Sequence, residues 1–134
     1  MTRYLLDTNH LGEAIRKVSR VRDRVHQSER KGHRFGSCAP ALCELEVGIQ
    51  QTSNAQASRR RLYSLFKVVR LWPIDEEIAP IYGTLYLALR KRGKAISFVD
   101  LILASLAVHI KCTLLTTDRD FEALPEVPTE NWVS

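Results

Sequence analysis

Short apolar runs alternate along the chain with longer stretches whose apolar residues recur at helical spacing. Tyr4-Leu5-Leu6 predicts a buried strand over 3–7. Asn9 to about Lys17 predicts a helix with Leu11, Ala14, Ile15 and Val18 on one side. A highly charged helix over about 20–31 has only Val21 and Val25 as its apolar stripe, and Gly32-His33 ends it. Arg34 to Cys38 reads as a strand. Pro40 suits the first turn of a helix over about 40–51, where its missing N–H is not needed. Gln51 to Ser58 is polar and reads as a connection, followed by helix over 59–66 and strand over 67–71.

Asp75 is placed to N-cap a helix running to about Arg92, with Ile78, Ile81, Tyr82, Leu85 and Leu89 on one face. Pro80 within it predicts a later start or a bend, and Gly93 a stop. Ser97 caps a helix to about His109 with Val99, Ile102, Leu103, Leu106 and Ile110 in register. Residues 113–117 read as a strand, 118–123 as a short helix or turn, and 129–133 as a last edge strand. Strands alternating with helices predict an α/β fold, a parallel sheet of four or five strands covered on both faces. No repeat or low-complexity tract divides the 134 residues, so a single domain over 1–134 is expected.

Acidic residues stand at the joints of this pattern. Asp7 closes the first apolar run and Asp118 closes Thr113-Leu114-Leu115-Thr116-Thr117, so both fall at the same edge of the sheet. Glu44 and Asp100 lie near the starts of helices, and helices that follow parallel strands begin at that edge. Each has a plain structural explanation. Asp7-Thr8-Asn9 and Asp118-Arg119-Asp120 are cap patterns, Ser97-x-x-Asp100 is a capping box, and a helix dipole favours Glu44. Their joint placement argues for more. Ligand sites of open parallel sheets lie beyond the carboxyl ends of the strands. Carboxylates gathered there do not all ionise cheaply without cations, and an all-oxygen site suits Mg²⁺ or Mn²⁺.

The overall charge is opposite, with a formal net charge of +5, which favours an anionic partner such as nucleic acid. Arg16, Lys17, Arg20, Arg22, Arg24, Arg30, Lys31 and Arg34 form the stretch expected to meet an RNA backbone, while Arg59-Arg60-Arg61 reads as a solvated helix face. His10, His26, His33 and His109 share no metal-ligand spacing and read as surface or core filler. The three cysteines, Cys38, Cys43 and Cys112, form no CxxC pair, which argues for a reducing compartment. The longest apolar stretch, Phe98 to Ile110, is too short for a bilayer and carries Asp100 and His109. With no apolar signal core after Met1, a cytoplasmic protein is expected.

Four segments then carry a resemblance. Tyr4-Leu5-Leu6-Asp7-Thr8-Asn9, Cys43-Glu44-Leu45-Glu46-Val47-Gly48-Ile49, Asp100-Leu101-Ile102-Leu103-Ala104 and Leu115-Thr116-Thr117-Asp118-Arg119-Asp120-Phe121 together resemble the PIN-domain ribonucleases, specifically the VapC toxin type of bacterial toxin–antitoxin pairs. The resemblance implies a PIN-like, Rossmann-like three-layer fold and an Mg²⁺- or Mn²⁺-dependent endoribonuclease. It implies catalytic, metal-holding carboxylates at Asp7, Glu44, Asp100 and Asp118, supported by Asn9 and Thr116. Asp120 is either a fifth carboxylate or a cap. Thr117 departs from the family, which more often has Asn or Arg there. The implied partners are RNA, a VapB-like antitoxin helix against residues 10–25 and 51–62, and a second copy seated on the stripe of 78–89. A non-catalytic RNA-binding module and a small-ester phosphatase are the alternatives. Other acidic α/β families fit less well: a dehalogenase-like phosphatase needs a second Asp where Asn9 stands, a TOPRIM domain needs an early Glu, and a receiver domain needs paired acids beside the first strand.

Overall fold

The computed structural model of the chain describes residues 1–133. Its elements in order are β1 Arg3–Leu6, α1 Thr8–Ala14, α2 Arg20–Arg30, β2 Arg34–Ser37, α3 Ala39–Gln50 and α4 Ala55–Leu65. They continue with β3 Val69–Leu71, α5 Ile78–Lys91, α6 Phe98–Ile110, β4 Thr113–Leu115, a 3-10 helix Arg119–Ala123 and β5 Thr129–Glu130. The strands form one sheet in the order β3-β2-β1-β4-β5. Every pairing is parallel, with Leu5 beside Gly36 on one side and Leu114 on the other. The expected parallel α/β sheet is present, with five strands.

The strands are buried apolar runs, as a sheet covered on both faces requires: Leu5, Leu6, Phe35, Val69, Leu114 and Leu115 are all at most 1% exposed. From β1 the chain builds outward through β2 and β3 on one side, then returns to place β4 on the other. The direction of winding therefore reverses between β1 and β4, where such sheets open a crevice at their carboxyl edge.

Several boundaries differ from expectation, each for a local reason. The strands are shorter, with β1 ending at Leu6 because Asp7 turns to cap α1. That helix ends at Ala14, short of Lys17, and Val18 is exposed. The guanidinium of Arg22 donates to the carbonyls of Ala14 at 2.8 Å, Arg16 at 2.6 Å and Lys17 at 3.2 Å, so the chain leaves the helix there. Helix α4 starts earlier than expected because Asn54 accepts the Ala57 N–H at 3.2 Å, which shortens the connection after α3. Pro80 fits because α5 begins at Ile78, so the proline stands in the first turn. Asp75 instead takes the Glu77 N–H at 2.9 Å in the preceding turn. Gly93 ends α5 with φ +66, where a side chain is disfavoured.

Helix α6 is buried nearly all round. Leu101 to Ala107 are covered without a break, including Ser105, whose hydroxyl donates to the Leu101 carbonyl at 2.7 Å. The helix packs against α5 on one side and the sheet on the other, which is why one apolar stripe understates its core.

Candidate active site

Asp7 is the N-cap of α1 and is 4% exposed. Its Oδ1 accepts the His10 backbone N–H at 2.7 Å and faces His10 Nδ1 at 2.9 Å. Its Oδ2 accepts the Thr117 N–H at 3.4 Å. The backbone N–H of Asp7 reaches the Leu115 carbonyl at 3.0 Å, so the ends of β1 and β4 are tied together where the acids emerge.

Asp118 caps the 3-10 helix, accepting the Asp120 N–H at 2.8 Å. Thr116 is buried, and its hydroxyl accepts the Asp118 N–H at 3.1 Å. Thr116 therefore supports the backbone of Asp118 rather than a carboxylate. Asp120 turns away to Lys94, 3.6 Å off, and is a cap neighbour with an ion pair. Asn9 donates from its amide to the Thr117 hydroxyl at 2.9 Å. The threonine that departs from the family pattern is thus the partner of Asn9.

Glu44 extends from α3, and the Thr8 hydroxyl donates to its Oε1 at 2.6 Å. Asp100 stands in the first turn of α6, its N–H on the Ser97 hydroxyl at 3.2 Å. The Asp100 carboxyl shows that the four acids share one field. It is pushed up from the ordinary 3.8 to about 6, first by burial and then by the charges of Asp7, Asp118 and Glu44, against a lowering contribution from Ser97. Cys38, at the start of α3, is also raised, mainly by burial with added repulsion from Glu44 and Asp100. That thiol is a buried neighbour of the acids, not a nucleophile.

An all-carboxylate set, one member of which is driven toward its neutral form by burial and then by the charges of the others, has the chemistry of a site for a hard divalent cation. The donors are oxygen only, and no basic side chain forms an ion pair with Asp100, Glu44 or Asp118 among the described residues. The carboxylates are more widely spread than the tightest acid–histidine group of the described residues. That group is Asp75, Glu77 and His109, with ligand atoms within 4.8 Å of one another. It lies near the opposite edge of the sheet, where α5 begins and α6 ends, and its acids are exposed. His109 is more than filler there, since its Nε2 is 3.1 Å from Glu77 Oε2.

Sequence reading missed two side chains of the acidic site. Thr8 and His10 touch Glu44 and Asp7, while Ser97, read from the sequence as the cap of its helix, bears on Asp100. Thr8 and His10 lie within three residues of Asp7, which is the only local signal they carry. Several basic residues also serve ends other than the expected ones. Arg22 is spent on capping α1, Arg24 lies 4.0 Å over the Trp132 ring, and Arg61 donates to the Ile15 carbonyl at 2.5 Å. Arg59 pairs with Glu46. A groove of about 680 Å³ opens beside Thr8, Asn9, Glu44 and Thr117, between α1, α3 and α4. Its walls alternate Ile15, Leu45 and Ile49 with Arg16, Lys17 and Arg61.

Comparison with known proteins places this geometry in a family. The PIN domain model matches residues 4–127. Ribonuclease VapC4 of Mycobacterium tuberculosis is 32% identical over 98 residues, which cover 72% of this chain and 75% of the relative. Ribonuclease VapC2 of Rickettsia felis is 25% identical over 130 residues, 96% of this chain and 97% of that one. Among solved structures, VapBC2 from Rickettsia felis bound to a DNA fragment from its promoter superposes with a TM-score of 0.86 at 24% identity, covering 98% of this chain and 99% of that one. FitAcB from Neisseria gonorrhoeae gives 0.76 at 27% identity over 96% of both chains. The chain belongs to the PIN-domain family, and its relatives are VapC ribonucleases.

Proposed function

We propose that the protein is a metal-dependent endoribonuclease, the toxin of a VapBC-type toxin–antitoxin pair, with Asp7, Glu44, Asp100 and Asp118 as its working carboxylates. The observation that carries the reading is the convergence of these four acids at the switch point of the sheet, felt in the raised Asp100 carboxyl. Asp7, Asp100 and Asp118 would hold one or two Mg²⁺ or Mn²⁺ ions. When bound, such an ion lowers the pKa of a water and neutralises charge on the scissile phosphate.

The protein's own groups supply the rest. Glu44, held by Thr8, orients the attacking water and takes its proton. Thr116 fixes the turn that presents Asp118, and Asn9 with Thr117 braces the rim between β1 and β4. Hydrolysis leaves a 5′-phosphate and a 3′-hydroxyl. No side-chain nucleophile is required, in keeping with the raised Cys38 thiol.

Arg16 and Lys17, on the groove wall beside Glu44, attract the RNA backbone that the carboxylates alone repel. The mixed apolar and basic walls of the same groove suit an amphipathic antitoxin segment with acidic residues. The relatives crystallised as VapBC complexes support that partner. Tyr86, Leu87 and Phe98 stay exposed on α5 and at the start of α6, which supports a second copy of the chain on that face. No helix of the described residues is long and apolar enough to cross a membrane.

Incubating the purified chain with total RNA in Mg²⁺, Mn²⁺ and EDTA tests the reading. Cleavage in either metal and none in EDTA is the expected outcome. RNA binding that is equal in all three without cleavage supports a non-catalytic RNA-binding module instead.

A further inference from the structure

His10 is a fully buried titratable residue to which the proposed mechanism gives no role. Its ring bridges two segments far apart in sequence. Nδ1 lies 2.9 Å from Asp7 Oδ1, and Nε2 accepts the Trp132 backbone N–H at 3.1 Å. A backbone N–H only donates, so Nε2 must offer a lone pair. The proton of the neutral imidazole therefore sits on Nδ1 and points at Asp7. A doubly protonated ring would set two donors against each other at Trp132.

This arrangement divides the labour of the Asp7 carboxylate. Oδ1 takes two hydrogen bonds from one residue, the His10 backbone N–H at 2.7 Å and the ring N–H. Among the described residues, Oδ2 receives only the longer Thr117 contact at 3.4 Å and keeps lone-pair capacity. The far end of the bridge is equally fixed. The Trp132 ring packs 5.0 Å from Tyr4 and 5.7 Å from Phe35, and its indole N–H donates to Glu130 at 2.9 Å. Arg24 closes over the same ring.

We propose that His10 is a positioning residue. Held as the Nδ1–H tautomer between Trp132 and Asp7, it fixes the Asp7 carboxylate so that Oδ2 would be left to a bound cation, and it makes that orientation depend on the segment after β5. The inference rests on the metal-dependent reading of the acidic site. Partners that orient a ligating group typically change metal affinity about 10- to 100-fold when removed.

The test combines Mn²⁺ titration calorimetry on the full chain with ¹⁵N–¹H correlation of the imidazoles. Wild type, His10→Phe, His10→Asn and His10→Gln are compared. The phenyl ring keeps the volume and removes both hydrogen bonds. The asparagine amide stands about where Nδ1 does, and the glutamine amide about where Nε2 does. Mn²⁺ affinity at least about tenfold weaker in His10→Phe, largely restored in His10→Asn and less so in His10→Gln, supports the proposal. A purely structural role would lower stability without sorting affinity by the position of the donor. If His10→Phe does not fold, the two amide variants make the same comparison. Unchanged affinity in His10→Phe, equal affinity in the two amide variants, or an Nε2–H tautomer in the wild type overturns it. Wild-type protein that takes up no Mn²⁺ contradicts the metal reading itself, and the tautomer then decides the bridge alone.

Discussion

Thr8 and Glu44 stand on different helices, 36 residues apart, and are joined by a hydrogen bond of 2.6 Å. Thr8 follows Asp7 directly, so the turn that places the most buried acid of the quartet also holds its most exposed one. Thr8→Val keeps the side-chain shape and removes the hydroxyl. A hydrogen bond to a charged group contributes about 1.5–3 kcal/mol, and the exposure of this pair argues for the low end. The expected outcome is RNA cleavage with kcat about tenfold lower, KM little changed and Thr8→Ser close to wild type. Thr8→Val with full kcat would show that Glu44 needs no such anchor.

Asp100 makes metal-free stability depend on pH in an unusual direction. Its folded pKa of about 6 lies above the ordinary 3.8, so the folded state holds a proton that the unfolded chain releases between those values. The group therefore destabilises the fold above about pH 6, and that penalty fades as pH falls toward about 4. In EDTA, Asp100→Asn is expected to melt higher than wild type at about pH 7.5 and to converge with it near about pH 4.5. Thermal melts at the two pH values check this. A variant that melts lower at the higher pH, with a gap that ignores pH, contradicts the repulsion.

Much of this site was legible because its acids mark the ends of regular elements. Asp7 and Asp118 close apolar runs, and strands of a parallel sheet share a direction, so their placement at one edge followed without knowing the sheet order. Ser97 announced the start of α6 by its capping pattern. His10 gave no such signal, because its partner Trp132 is brought to it only by the β4–β5 pairing. Arg22 looked like an RNA-binding charge, yet its donors are consumed by carbonyls that a shorter α1 leaves open. The all-round burial of α6 was likewise invisible to periodicity, which detects one covered face.

Gly36 of β2 and Trp72, the residue that follows β3, approach closely. A Cβ added to Gly36 would overlap the Trp72 indole, nearer than van der Waals contact allows. Gly36→Ala must push the indole off the sheet, and overpacking of this kind costs about 1–3 kcal/mol. Urea denaturation should show a lower midpoint. An unchanged midpoint would mean that the indole moves freely, in conflict with its position over β2.

Arg16 and Arg22 separate binding charge from structural charge. Arg16 and Lys17 line the groove that Glu44 also lines, while Arg22 caps α1. Replacing both Arg16 and Lys17 by Ala should weaken RNA binding and flatten its dependence on salt. The log–log slope should fall by about 0.7 for each phosphate left without its cation. Arg22→Ala should instead lower the melting temperature and leave the slope unchanged. Filter-binding titrations over a salt series distinguish the two, and a flattened slope in Arg22→Ala alone would reverse the assignment.

The functional reading stands or falls on the proposal that the carboxylates at the switch point of the sheet cut RNA through a bound divalent ion. The most direct measurement compares wild type, Asp7→Asn and Asp118→Asn on total RNA, in Mg²⁺, Mn²⁺ and EDTA, with end-labelling of the products. The predicted result is cleavage by the wild type alone, in metal alone, with 5′-phosphate and 3′-hydroxyl ends. Equal cleavage by all three proteins, or cleavage that survives EDTA, would contradict it.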